Sequence, residues 1–326
     1  MLQLFKSNQI LTSVLLLLYL GIFFASSFIF EYPPSTQAQG ILSYEIFRSL
    51  EGNLLTSKII AILLIFIEGV ILTGIINDHR INVQANLLPG LFFCLFCCAF
   101  PDFLRLHPVL FANFFYILAF GAILKAAKSP KEVGAIFNAG IWLGLGSLFY
   151  FSLLIMVVWL FIALSIVRSF RFRERMMVLA GVFVPYFLTA VVYFWNDQLQ
   201  FFYEQQYLNQ LDWMAIMKRF SLPLIGKPLV FLIFALFAVI SINQYFQKRS
   251  SSTQRIFRLL YWAMLISGLS VFFQAQLGYA HLLLLAPPLS VFAAITFTQM
   301  TPRFAEAIHL TLFLGALLLQ YSFLFF

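Results

Sequence analysis

Apolar runs of about bilayer length follow one another along the whole chain, and they leave little choice of fold. They fall at 10–30, 58–76, 86–101, 108–125, 134–149, 151–167, 176–195, 228–246, 258–275, 281–299 and 307–326. Each approaches the roughly 20 residues that cross a hydrocarbon core. Backbone in lipid must satisfy its own hydrogen bonds, which leaves helices or closed barrels. A barrel would show short alternating segments rather than unbroken apolar blocks. The expected fold is therefore all-α, a polytopic transmembrane helical bundle of about 11 spans. That count divides the run from Gly134 to Val167, which is too long for one crossing at about 1.5 Å per residue. Gly144, Gly146, Ser147 and Tyr150 mark where it would turn. Composition agrees: 10% of residues are charged, against about a quarter in a soluble domain.

Lysine and arginine in the short loops orient the bundle. With Lys6 inside, the inner loops also hold Arg80, Lys125, Lys128, Lys131, Arg168, Arg171, Arg173, Arg175, Lys248, Arg249, Arg255, Arg258 and Arg303. That is 14 of the 20 basic residues, leaving Arg48, Lys58, Arg105, Lys218, Arg219 and Lys227 outside. The N-terminus is expected in the cytoplasm and the C-terminus outside, in a bacterial inner membrane. On this reading the net charge of +8 is topological, and no nucleic-acid partner is implied.

Several classes of function are set aside by the same pattern. The first apolar run is longer than a usual signal core and ends in Phe30-Glu31-Tyr32-Pro33-Pro34, so no cleavable signal peptide is expected. Cys94, Cys97 and Cys98 lie within one expected span, where free cysteine packs as a small hydrophobe. No metal and no cofactor are expected. The sequence has no Walker motif, no GxSxG and no HExxH.

The polar residues that need an explanation collect on the outer side. The first outer loop contains GILSYEIFRSLEGNLL, in which Ile41, Tyr44, Phe47, Leu50 and Leu54 line one face of a helix. Such a helix, near 40–54, would lie in the membrane interface. The turn FPDFLRLHP carries Asp102, Arg105 and His107. A longer loop near 196–227 carries Asp197, Glu204, Asp212, Lys218 and Arg219. The stretch QLGYAHLLLLAPPLS places Gln276, Tyr279 and His281 at an outer mouth, then sends Pro287-Pro288 into an apolar run. Proline frees backbone carbonyls that protein or water must satisfy, which predicts a kink lining a cavity.

The order of these elements resembles the membrane module of the GT-C glycosyltransferases, which use polyprenyl-phosphate-linked sugars. The segments that carry the likeness are Glu31 after the first span, the helix near Tyr44, PDFLRLHPVLFANFF, NAGIWLGLGSLFY and YAHLLLLAPPLSVFAA. More closely, the chain resembles a multi-pass inner-membrane family of Bacteroidota that carries no established activity. The resemblance implies a GT-C-like module over 1–167, with C-terminal membrane helices over 168–326. Two departures stand out. Glu31 lacks the neighbouring carboxylate usual in GT-C enzymes, and His107 or Asp102 stands where an acidic residue is expected ahead of the fourth span.

Each candidate carries two readings. Glu31 is a general base toward an acceptor hydroxyl, or a solvated carboxylate at a span end. His107 contacts a phosphate or sugar hydroxyl, or simply ends a turn before Pro108. Arg105 and Arg219 hold phosphate through paired hydrogen bonds, or snorkel to headgroups. Glu68 falls midway through the second span, where an ionisable group marks function or bonds a neighbouring helix. The Arg168–Arg175 cluster reads as an anchor to anionic lipid.

Three classes of function follow. The first is a GT-C-like transferase acting on a polyprenyl-phosphate-linked sugar at the periplasmic face. The second is a non-catalytic subunit of an envelope secretion, motility or glycan-assembly complex, with membrane-protein partners. The third is a lipid or glycan transporter, which the absence of an internal inverted repeat disfavours. In all three the chain contacts membrane lipid.

Overall fold

In the computed structural model, residues 2–6, 10–30, 33–34, 39–50, 53–79, 81, 85–129, 131–210, 251–270 and 278–321 are described. Among these residues there are helices and no strands. The apolar runs become α1 (Ile10–Ile29), α3 (Leu54–Asp78), α4 (Leu88–Cys97), α5 (Pro108–Lys128), α6 (Val133–Phe149), α7 (Met156–Val167) and α8 (Phe172–Trp195). Later come α10 (Ser251–Leu269), α11 (Ala286–Gln299) and α12 (Pro302–Gln320). Two short helices lie between them, α2 (Ile41–Ser49) and α9 (Leu199–Tyr203). The expected span at 228–246 lies outside the described residues. Six of the described helical stretches are long and apolar enough to cross a membrane, and the protein is a multi-pass membrane protein.

The helices share two ends, which hydrogen bonds identify. At one end Lys128 Nζ donates to the Asp78 carbonyl at 3.0 Å, and Leu87 N–H donates to the Phe5 carbonyl at 2.9 Å. Arg168 closes this basic end: its guanidinium donates to the carbonyls of Ala126 and Ser129 and to Glu174 Oε1. Those carbonyls belong to the last turn of α5 and the residue after it, which no intrahelical donor reaches. Arg168 is thus a helix cap rather than a free anchor, while Arg171 and Arg173 are exposed as an anchor requires. At the other end Gln320 Nε2 donates to the Cys98 carbonyl at 2.7 Å, and Ser26 Oγ meets Gln320 Oε1 at 3.4 Å. This second end also carries α2, and is called the α2 end below.

The run from Gly134 to Val167 divides where expected. Tyr150 is extended, with φ −143° and ψ 103°, and a 3-10 turn over Phe151–Ile155 starts the return. On α6, Gly140 meets Gly181 of α8 and Gly144 meets Val182 and Pro185: a Cβ on Gly140 would stand 2.5 Å from the Val178 carbonyl oxygen. Small residues that let backbones touch are a membrane helix-packing device.

The stretch from Tyr279 through α11 is 89% buried, against 28% in α8, and α11 packs against α4. This stretch is thus a central one among the described residues.

Pro287 and Pro288 open α11 after a 3-10 segment over Tyr279–Leu285. Pro287 has no N–H for the Leu283 carbonyl four residues before it. Asn113 Nδ2 on α5 supplies that donor at 2.8 Å, in full burial. The prolines also line a cavity of about 10 Å³, room for one water and no more.

Replacing Asn113 with leucine removes this buried hydrogen bond and leaves the Leu283 carbonyl only the Ala286 N–H, which should cost about 0.5–1.5 kcal/mol. A fall in the melting temperature of the purified protein in detergent is the expected outcome. An unchanged value would show that the Ala286 N–H alone satisfies the carbonyl.

Candidate functional site

The α2 end is built from four pieces of chain. The first is the turn from Phe100 to His107, whose Pro101–Leu104 portion packs against the second, Tyr279–Leu285. The third is α2 itself, and the fourth runs from α9 to Gln210. Glu31, Arg219 and Gln276 lie outside the described residues.

His107 is buried, and its Nε2–H donates to the Asp102 carbonyl at 2.6 Å. Its other nitrogen, Nδ1, has no hydrogen-bond partner. Burial pulls the imidazole pKa down to about 4, and the nearby Arg105 charge adds to this. Both favour the neutral ring, with a lone pair on Nδ1. Asp102 and Arg105 are half-buried on the same turn, and the guanidinium Nε is shielded from solvent. The structure therefore groups Asp102, Arg105 and His107, and sets the Tyr279–His281 segment against their turn.

His281 itself is not at an open mouth. It is 3% exposed, and both ring nitrogens are engaged. Ser270 Oγ donates to the Ser267 carbonyl at 2.6 Å, so it accepts from His281 Nε2–H at 2.8 Å. His281 Nδ1 must then accept from the Tyr150 hydroxyl at 2.7 Å. This relay ties the turn after α6 to the end of α10 and the entry to α11, and leaves the imidazole nothing to offer a ligand. Tyr279 is half-buried at the start of the same segment.

α2 is held as a separate element. Gly40 N–H and Ser43 Oγ both donate to the Phe149 carbonyl, at 2.9 and 2.8 Å. Gln206, fully buried, accepts from Ile41 N–H at 2.9 Å and donates to the Ser147 carbonyl at 2.9 Å. Tyr193 donates to Glu45 Oε1 at 2.9 Å. Ile41 and Phe47 face inward, Tyr44 and Leu50 are half-buried, and the helix stops before α3 begins at Leu54. Between α2 and the start of α3 lies a pocket of about 330 Å³, lined by Pro33, Pro34, Gln39, Tyr44 and Arg48 among others.

Sequence reading singled out neither Gln206, Gln39 nor Lys58. Lys58 is 8% exposed, with its ammonium 5.4 Å from the Phe28 ring centroid. The sequence places it at the first residue of the expected span 58–76, whereas in the structure it stands one turn into α3, an unfavourable place without a partner. Gln206 sits in a polar loop and carries no comparable signal.

Glu68 is remote from this end, ten residues along α3 from Lys58 or about 15 Å. It is fully buried, and neither carboxyl oxygen has a hydrogen-bond partner. Cys94 and Cys97 lie within electrostatic reach of it. The three cysteines are buried and unbridged, and no described cluster of three His, Cys, Asp or Glu could hold a metal.

Residues 40–325 match a family profile that spans nearly all of this architecture. The chain belongs to DUF6427, a family of unknown function. No curated protein matches it. Among solved structures, this DUF6427 chain is similar to the crystal structure of ArnT from Cupriavidus metallidurans bound to undecaprenyl phosphate. The TM-score is 0.50 at 13% identity, over 89% of this chain. The chain spans 60% of the length of that structure. At this identity the likeness concerns the fold alone.

The low pKa of His107 has a consequence for stability. A histidine held below its free value of about 6.5 binds a proton more readily once unfolded. Stability should therefore fall as pH drops from about 6.5 toward 4, by about 3 kcal/mol from this residue when fully developed. His107→Gln should flatten that part of the melting-temperature profile, and an unaltered profile would show that His107 does not resist protonation.

Proposed function

We propose that this DUF6427 protein is a GT-C-like membrane glycosyltransferase that takes a sugar from a polyprenyl-phosphate carrier at the periplasmic face. The reading rests above all on the convergence of the Asp102–Arg105–His107 turn with the Tyr279–His281 segment at the end that carries α2. A fold shared with a protein solved with undecaprenyl phosphate supports it. The proposed topology has 11 spans, with the N-terminus in the cytoplasm and α2 in the outer interface.

In the proposed reaction Glu31 removes the proton from an acceptor hydroxyl as that oxygen attacks the anomeric carbon. The bond to the carrier phosphate breaks, and the phosphate leaves with the electron pair. Arg105 and Arg219 neutralise the growing charge. His107 accepts a hydrogen bond at Nδ1 from a sugar hydroxyl. Gln276 and Tyr279 border the same mouth. His281 fixes the segment through Tyr150 and Ser270 and does not touch the sugar.

A second reading, a non-catalytic subunit of an envelope complex, draws on α8. Phe183, Phe187, Leu188, Val192 and Trp195 are all exposed along it, a face that suits lipid or a partner helix equally. It also fits the closed packing around His281.

Glu31→Gln should abolish sugar transfer with expression intact, because the amide keeps the shape and cannot take a proton. Arg105→Ala should weaken carrier binding by about 1.5–3 kcal/mol. Retained transfer in Glu31→Gln would move the assignment to the subunit. Topology is checked separately: tags near Lys128 and Arg171 should report cytoplasm, and tags near Gln205 and after Phe326 periplasm. A cytoplasmic C-terminus would remove the outer site altogether.

A further inference from the structure

The basic end carries a groove that the transferase reading does not use. It lies between α3 and α6, is floored by α5, and encloses about 730 Å³. That is within the roughly 300–1,000 Å³ of small-molecule sites. One face of α5 makes the floor, in the order Leu118, Gly121, Ala122, Lys125 and Lys128. The small pair at 121 and 122 lowers the floor between two walls, Ile71 and Ile75 on α3 and Trp142 on α6. From Leu118 to Lys128 is ten residues, or about 15 Å of helix. Half of a hydrocarbon core is also about 15 Å. The groove thus has the length of one leaflet, apolar at its deep end and charged at its mouth.

The mouth carries both signs of charge. Lys125 and Lys128 face Asp78 at the end of α3 and Glu132 ahead of α6. Lys125 and Glu132 stand 3.7 Å apart with side chains 65% and 44% exposed. An exposed pair of this kind is worth little and opens readily to a ligand. Lys128 spends one donor on the Asp78 carbonyl and keeps two. A purely anionic headgroup would meet two carboxylates, and a purely cationic one two ammonium groups. A headgroup that carries a phosphate and an ammonium pairs with all four.

We infer that this groove binds one zwitterionic phospholipid of the phosphoethanolamine type, with its phosphate at Lys125 and Lys128 and its ammonium at Asp78 and Glu132. One acyl chain lies along Leu118, Gly121 and Ala122, between Ile75 and Trp142. The site is separate from the α2 end and needs no transfer activity there.

The test uses the full chain purified in mild detergent and offered equimolar phosphatidylethanolamine and phosphatidylglycerol, with retained lipid counted by native mass spectrometry. The expected result is one phosphatidylethanolamine per protein, at least tenfold over phosphatidylglycerol. Gly121→Leu fills the floor, since a Cβ there already stands 2.8 Å from Ile75 Cδ1, and should abolish retention. Because that change also presses on α3, the exposed Lys125→Ala plus Glu132→Gln double variant serves beside it. It should lower retention at least fivefold with an unchanged melting temperature in lipid-free detergent. Equal retention of the two lipids, preference for phosphatidylglycerol, or full retention in the double variant would overturn the assignment.

Discussion

The architecture depends on how the chain ends α6 inside the bundle. A helix that stops away from water has carbonyls with no intrahelical donor, and each must find one. At Phe149 the donors are the Gly40 N–H and the Ser43 hydroxyl, which fixes where α2 begins. One residue on, the Tyr150 hydroxyl engages His281, which in turn engages Ser270. Two successive residues therefore join the start of α2, the end of α10 and the entry to α11. The end of one helix thus positions α2, the Tyr279–His281 segment and, through Ser147 and Gln206, the stretch after α9.

A second backbone requirement acts at α11. Two prolines at its start remove donors, and Asn113 on α5 replaces one of them at the Leu283 carbonyl. That contact holds α5 against the Tyr279–Leu285 segment, just below the turn that carries Asp102, Arg105 and His107. The turn is short, and His107 folds back on the Asp102 carbonyl, so these side chains reach their places with little freedom of their own. Pre-positioned polar groups at a membrane surface suit the recognition of a charged, lipid-linked substrate better than a mobile loop would.

Much of the bundle was legible because its signals are local. Apolar runs of bilayer length located the described long helices, with starts off by up to 7 residues at α10; the Gly-Ser-Tyr cluster marked the turn at Tyr150, and the period of Ile41, Tyr44 and Phe47 gave α2. The site was legible only in part. His281 looked like a mouth residue because its partners, Tyr150 and Ser270, lie in other elements and share no spacing with it. Arg168 read as a lipid anchor because the carbonyls it caps belong to α5. Asn113 and Gln206 had no local signal at all, since each satisfies backbone that only the folded bundle brings to it. Long-range satisfaction of polar groups is the part of membrane-protein folding that a single sequence shows least.

The central claim is that the α2 end receives a polyprenyl phosphate. The most direct measurement is photocrosslinking of the purified protein with a diazirine-bearing undecaprenyl phosphate, followed by mapping of the labelled peptides. The account predicts labels within 28–58 and 100–107, competed away by unlabelled undecaprenyl phosphate. Labelling confined to the groove between α3 and α6 at the basic end, or no competable labelling, would contradict it.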